Sequence, residues 1–275
     1  MSPARLVRRF PITAFAALAC VFGALPYLLA ALGLDSDPSN MPLGPVLAAL
    51  VVVACQGRDG WRTWWSQLRC WRSAPSLYAV AVLAPLALTA VAVVVNGLLG
   101  SPLPTPTELS AWPEVPVTFV FMMVMVGIGE EAGWTAFAAP VLLRRHGLLG
   151  AWLVMSAIRI FWHLPLMISG ELPWALGVMG MLGFQLFVLQ LLRHGGSWVH
   201  AAVWHSLLNA VGGGFVFGMY VGADQLQLGV IMGVAYLMLG LATLLPRAGA
   251  RPTATATATA TATVRPAERA GAVLR

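Results

Sequence analysis

Residues 117–143 read VTFVFMMVMVGIGEEAGWTAFAAPVLL. A helix needs about 20 apolar residues to cross the ~30 Å hydrocarbon core of a bilayer, and this stretch is long enough. It nevertheless holds two adjacent acids, Glu130 and Glu131, in a chain of which only 9% is charged. The reading of this segment decides the fold. In a soluble domain it would be a core element, and two carboxylates would have no place there. In a bilayer it is a membrane span with two ionisable groups at depth, which marks a functional site.

Composition favours the bilayer. The 275 residues are 59% hydrophobic and the mean hydropathy is +0.81. A soluble domain carries roughly a quarter charged residues. Eight apolar segments follow one another, at 10–34, 41–56, 75–100, 116–143, 148–169, 172–192, 196–220 and 226–245, the second being short. Backbone groups in lipid must be satisfied within the segment, so these segments are expected to be helices. The predicted fold is all-α, a polytopic helical membrane bundle.

Charge tests the count. The 16 basic residues are all Arg. Arg5, Arg8 and Arg9 precede the first segment; Arg58, Arg62, Arg69 and Arg72 follow the second; Arg144 and Arg145 follow the fourth, and Arg193 the sixth. Arg247, Arg251, Arg265, Arg269 and Arg275 lie in the tail. Asp35, Asp37, Glu108, Glu114, Glu171 and Asp224 occupy the intervening loops. Under the positive-inside rule this alternation predicts eight spans with both termini cytoplasmic. The net charge of +6 is therefore a topology signal, not a nucleic-acid surface. The expected location is the cell membrane, multi-pass, with the lipid bilayer as a partner and no nucleic acid.

The organisation follows. Residues 1–9 form a cytoplasmic N-terminus, and 10–115 hold the first membrane helices. Within them, 57–73 mixes Arg and Trp as an amphipathic interfacial helix would, and anchoring is its expected role. Residues 116–220 hold the polar groups, and 221–247 form a last membrane helix. The Thr-Ala repeat of 248–275 has too few large apolar residues to bury a core and reads as disordered. Cys20, Cys55 and Cys70 lack metal-ligand spacing and read as free thiols. The N-terminal apolar run continues to Leu34, too long for a signal peptide.

Few ionisable groups remain within the segments. Glu130 and Glu131 lie in the fourth, Arg159 and His163 in the fifth, and His200 and His205 in the seventh with Asn209. At 1.5 Å per residue, Glu130, His163 and Asn209 each lie ~20 Å from the inner end of their span, and His205 ~14 Å. By depth, the site comes within reach of the inner side. His205 and Asn209, four apart, share a helix face, as do Arg159 and His163. Consecutive Glu130 and Glu131 point about 100° apart, so one can face a cavity while the other pairs with a neighbouring helix. His200 lies near the inner end and reads as interfacial; His146 and His194 fall in loops.

This set suits hydrolysis. A carboxylate and an imidazole can activate a shared water. A second His and an Asn amide can donate to an oxyanion. Alternatively, Glu130, His163 and His205 could hold a metal such as zinc. There is no H-E-x-x-H, so a zincin arrangement is excluded by spacing. Two further classes compete: a non-catalytic membrane partner such as an immunity or scaffold protein, and a proton-linked transporter. The second class often shows internal repeats, and none is found here.

Three pieces in order, "EEAGWT" (130–135), "RIFWHLP" (159–165) and "HSLLN" (205–209), resemble the intramembrane endopeptidases of the CAAX prenyl protease and bacteriocin-processing family, also called CPBP or Abi. Its pattern is E-E-x-x-x-R, then F-x-x-x-H, then H-x-x-x-N, and the resemblance covers about residues 116–215. It implies a membrane protease acting on a membrane-bound or lipid-modified peptide. Glu130 would be the catalytic glutamate, with His163 helping to activate water. His205 and Asn209 would stabilise the oxyanion, and Glu131 would support them. The resemblance leaves open a zinc and a metal-free mechanism. Two positions depart from it: Thr135 stands where the motif has Arg, and Arg159 where it has Phe. An Arg shifted to the neighbouring helix is expected to neutralise Glu131 in place of the motif Arg.

Overall fold

The computed structural model describes residues 2–34 and 42–245. Asp35 and Asp37, the Arg residues from Arg247 onward and the Thr-Ala tail lie outside the described residues. Every regular element among the described residues is helical. The protein is a helical membrane bundle, with five helical stretches long and apolar enough to cross a membrane. Its outward surface is apolar: Val117, Ile168 and Leu98 are among the many large hydrophobic side chains left exposed. Lipid is the solvent such a surface requires.

α1 (Pro3–Arg9) leads into α2 (Pro11–Ala31). α3 (Gly44–Gln56) has 13 residues, about 20 Å of helix, which is shorter than the hydrocarbon core. Gly57 at φ +76 then turns the chain into α4 (Arg58–Leu68), the Trp-rich amphipathic segment. α5 (Pro75–Leu98) is the next long apolar helix. A short α6 (Pro106–Leu109), capped by Thr105 and Glu108, precedes α7 (Val115–Met122).

From Met123 the winding changes. Met123–Ile128 and Trp134–Ala138 are π-helical, with the short α8 (Glu131–Gly133) between them. α9 (Ala139–Trp162) has two arms, broken at Gly147 with φ +65 and ψ −170. Glycine suits that position because other residues rarely adopt it. The arms fold back on one another. A straight helix would hold Glu131 and Arg159, 28 residues apart, at ~42 Å, whereas the two side chains are hydrogen-bonded. α10 (Leu164–Ser169) follows, with Pro165 in its first turn.

Leu176–Gly180 is again π-helical and runs into α11 (Met181–Arg193), the most buried long stretch of the bundle. α12 (Trp198–Leu207) continues as a π-helix over Leu208–Val216, and α13 (Gly222–Ala242) closes the fold.

The two kinds of loop gather at opposite ends. At one end Arg8 donates to the Cys55 carbonyl, and Trp198 Nε1 donates to Leu68 O at 3.0 Å. Ser73 Oγ lies 2.7 Å from His200 Nε2, and Arg144 and Arg145 share a pocket with Pro11 and Gln56. This is the Arg-bearing end. At the other, Ser101 Oγ donates to Asp224 Oδ1 at 2.7 Å, and Tyr27, Pro42, Glu171 and Pro173 line one cavity.

Candidate active site

Local structure explains why Glu130 and Glu131 leave the helix in different directions. The π-helical segments on either side widen the turn, a feature often found at functional sites. Glycines on both sides allow α3 to press in. Val46 N donates to Gly129 O at 2.9 Å. A Cβ on Gly133 would stand 2.4 Å from the Pro45 carbonyl oxygen, so only glycine fits that crossing. From the Arg-bearing end, Trp64 Nε1 of α4 donates to Ala132 O at 2.9 Å. The interfacial helix is thus fastened one residue away from Glu131.

Glu131 is fully buried and enclosed by donors. Arg159 donates to its Oε1 and Thr135 Oγ1 to its Oε2. His205 Nδ1 lies 2.9 Å from the same Oε1. Arg159 is also fully buried. It reaches Glu130 Oε2 at 3.4 Å and donates to Gln185 Oε1 at 3.2 Å. Its guanidinium lies against the rings of Phe184 (4.9 Å) and Trp134 (5.5 Å). The planar five-donor fork of Arg matches this set of acceptors. Thr135 adds a donor to Glu131 while Arg159 supplies the charge.

Glu130 differs. Arg159 is its hydrogen-bond partner among the described residues, His205 Nδ1 lies 3.9 Å from its Oε2, and it lines a cavity of about 620 Å³. His163, His205 and Asn209 line the same cavity. The helix ends at Trp162 because Pro165 has no N–H to continue it. His163 then folds back, with Nδ1 2.8 Å from Arg159 O. A carbonyl only accepts, so Nδ1 carries the proton and Nε2 is left with a lone pair. His205 is oriented in the same sense by Glu131. Neither Nε2 has a hydrogen-bond partner among the described protein groups, so both remain for whatever enters the cavity.

Asn209 is partly engaged. Its Nδ2 donates to His205 O, one turn back, at 2.9 Å, leaving one amide proton and Oδ1 open. His200 stands apart from the site. Its Nδ1 accepts from Ser197 N at 3.0 Å, capping α12, and its ring stacks on Tyr78. Sequence patterns did not single out Gln185 or Phe184, which complete the Arg159 enclosure with Trp134; ordinary apolar helix context hid both.

Among the described residues, the group whose ligand atoms fall within 4.8 Å of one another is Glu130, Glu131 and His205; His163 is not in it. Most of the ligand atoms of this set are already engaged within the protein. The Arg159 guanidinium already provides the positive charge between the two carboxylates, and both Glu131 oxygens are hydrogen-bonded. His205 turns its Nδ1 to Glu131, not to an open centre.

The lining of the cavity includes Tyr27, Pro42, Glu171, Leu172 and Pro173 from the acid-bearing end, and no residue of the Arg-bearing loops. No family model matches the chain, and no curated protein matches it.

Proposed function

We propose that this chain is an intramembrane endopeptidase of the cell membrane. It hydrolyses a peptide bond in a membrane-associated or lipid-modified polypeptide, as its three motifs suggest by their resemblance to the CPBP family. In this reading it crosses the bilayer eight times with both termini cytoplasmic. The gathering of Arg at one end of the bundle and acids at the other supports that topology.

The observation that carries the reading is the division of labour between adjacent glutamates. Glu131 is saturated by donors, while Glu130 faces the cavity beside His163 and His205. Glu130 accepts a proton from water as the oxygen attacks the scissile carbonyl carbon. His163, through its free Nε2, helps orient that water. The negative charge that develops on the carbonyl oxygen is met by the remaining Asn209 amide proton and by His205. His205 donates only when Nε2 also carries a proton. Collapse of the intermediate breaks the C–N bond, and the leaving amine takes the proton held by Glu130. The products are one new carboxylate terminus and one new amine terminus.

The test compares peptide termini in membrane proteomes of cells making wild type or Glu130→Ala at matched protein level. Termini that vanish in the variant identify the cleavage and its substrate. Identical termini would reject proteolysis and favour a non-catalytic membrane partner.

A further inference from the structure

The cavity above Glu130 is closed towards the Arg-bearing end. On that side Glu131, Arg159 and Trp134 are fully buried, and Arg159 spans from the glutamates to Gln185 of α11 with its guanidinium against Trp134 and Phe184. No lining residue comes from the loops holding Arg58, Arg144 or Arg193. On the other side the walls rise past Leu166 and Leu176 to Glu171, Leu172 and Pro173. Glu171 is exposed, and it sits in a loop between two helices whose far ends carry Arg144–Arg145 and Arg193. Tyr27 and Pro42, flanking the first acidic loop, border the same opening.

From this geometry we propose that the site is entered from the acid-bearing, extracytoplasmic end, so that its substrate is an exported or outer-leaflet-anchored polypeptide. The inference rests on the proteolytic reading for the nature of the substrate. Its sidedness rests on cavity shape and charge alone. The chemistry of the lining narrows the class further. Met122, Met125, Phe121 and Leu166 give an adaptable apolar wall, suited to an extended apolar or acylated segment. Besides Tyr27 and Tyr236, the ionisable lining groups are Glu130, Glu171 and two histidines, with no Arg among them. A segment that is neutral or basic beside its apolar part is accepted, and an acidic one is repelled at the mouth.

Thiol accessibility tests this without requiring activity. Cys20, Cys55 and Cys70 are replaced by Ala, and single cysteines are introduced by Glu171→Cys, Gly213→Cys and Arg144→Cys. Gly213 lines the cavity and has open space around an added Cβ. A charged, membrane-impermeant maleimide is applied to intact spheroplasts and, separately, to inverted membrane vesicles. The expected result is at least tenfold faster modification of Glu171→Cys and Gly213→Cys from the outside, and of Arg144→Cys from the inside. Modification of Glu171→Cys or Gly213→Cys from the inside overturns the proposal. So does failure of Gly213→Cys to react from either side while the detergent-denatured protein labels fully. If labelling is as expected but termini do not change with Glu130→Ala, the access route stands and the protease reading falls.

Discussion

Glu130 and Glu131 are consecutive, yet only Glu130 lines the cavity, while Glu131 is fully buried under Arg159, Thr135 and His205. Neutralising each should therefore fail in a different way. Glu130→Gln is expected to lower cleavage by 100-fold or more, the range for loss of a general base, with little change in protein level. Glu131→Gln removes the charge that balances Arg159, so it is expected to lower the melting temperature in detergent as well as activity. Parallel turnover and thermal-unfolding measurements on the two variants decide the matter. Equal loss of stability in both would refute the division of roles.

Arg159 supplies the positive charge beside both glutamates, while Thr135 stands where the CPBP pattern that the chain resembles has Arg. Arg159→Phe strands two buried carboxylates, and breaking a buried ion pair in this way costs about 3–5 kcal/mol. Thr135 sits four residues after Glu131 and already donates to it, so an Arg there can reach the same carboxylate. The double variant Thr135→Arg/Arg159→Phe is expected to recover more than half of the stability lost by Arg159→Phe. Expression level and unfolding midpoint of the single and double variants measure it. A double variant no better than the single would show that the Arg159 enclosure by Gln185, Phe184 and Trp134 is not interchangeable.

Much of this site was legible from residue chemistry because polar groups are so rare in these segments. Glu130, His163, His205 and Asn209 stood out against apolar neighbours, and all four line one cavity. The 100° rule for adjacent helical residues anticipated that the glutamates would diverge, although not which would be enclosed. What stayed hidden depends on three-dimensional contact. The π-helical stretches flanking Glu130 have no composition that sets them apart from an α-helix. Gln185 looked like any polar residue in a helix until Arg159 was placed against it. Depth along single helices pointed to the inner side. The cavity lining instead includes residues of the acid-bearing end, while Arg159 and Trp134 pack around Glu131 on the other side, and no one-dimensional measure contains that packing.

The α3 crossing gives a prediction remote from the chemistry. A Cβ at Gly133 would meet the Pro45 backbone, which cannot swing aside as a flexible side chain could. Gly133→Ala should separate α3 from the glutamate segment and cost about 1–3 kcal/mol, the range for overpacking. Gly213→Ala, in open space, is the control and should be close to neutral. Thermal unfolding of both in the same detergent tests the contrast. A Gly133→Ala protein as stable as the control would mean that α3 does not hold the site in this position.

The last prediction concerns metal. Arg159 lies within hydrogen-bonding distance of both carboxylates, and a divalent ion seated there would face its guanidinium at close range. Two like charges at such a distance in a medium of low dielectric repel strongly. The chain's own cation therefore takes the place that a metal would hold. Purified protein incubated with a strong chelator and then dialysed is expected to keep its cleavage rate within twofold, and added zinc should not raise it. Zinc content measured on the same sample should fall well below one ion per chain without loss of activity. A rate that drops tenfold on chelation and returns with zinc would reverse the argument. It would require Arg159 to release the glutamates in the active form, and the uncharged Arg159→Gln would then bind zinc more tightly than wild type does.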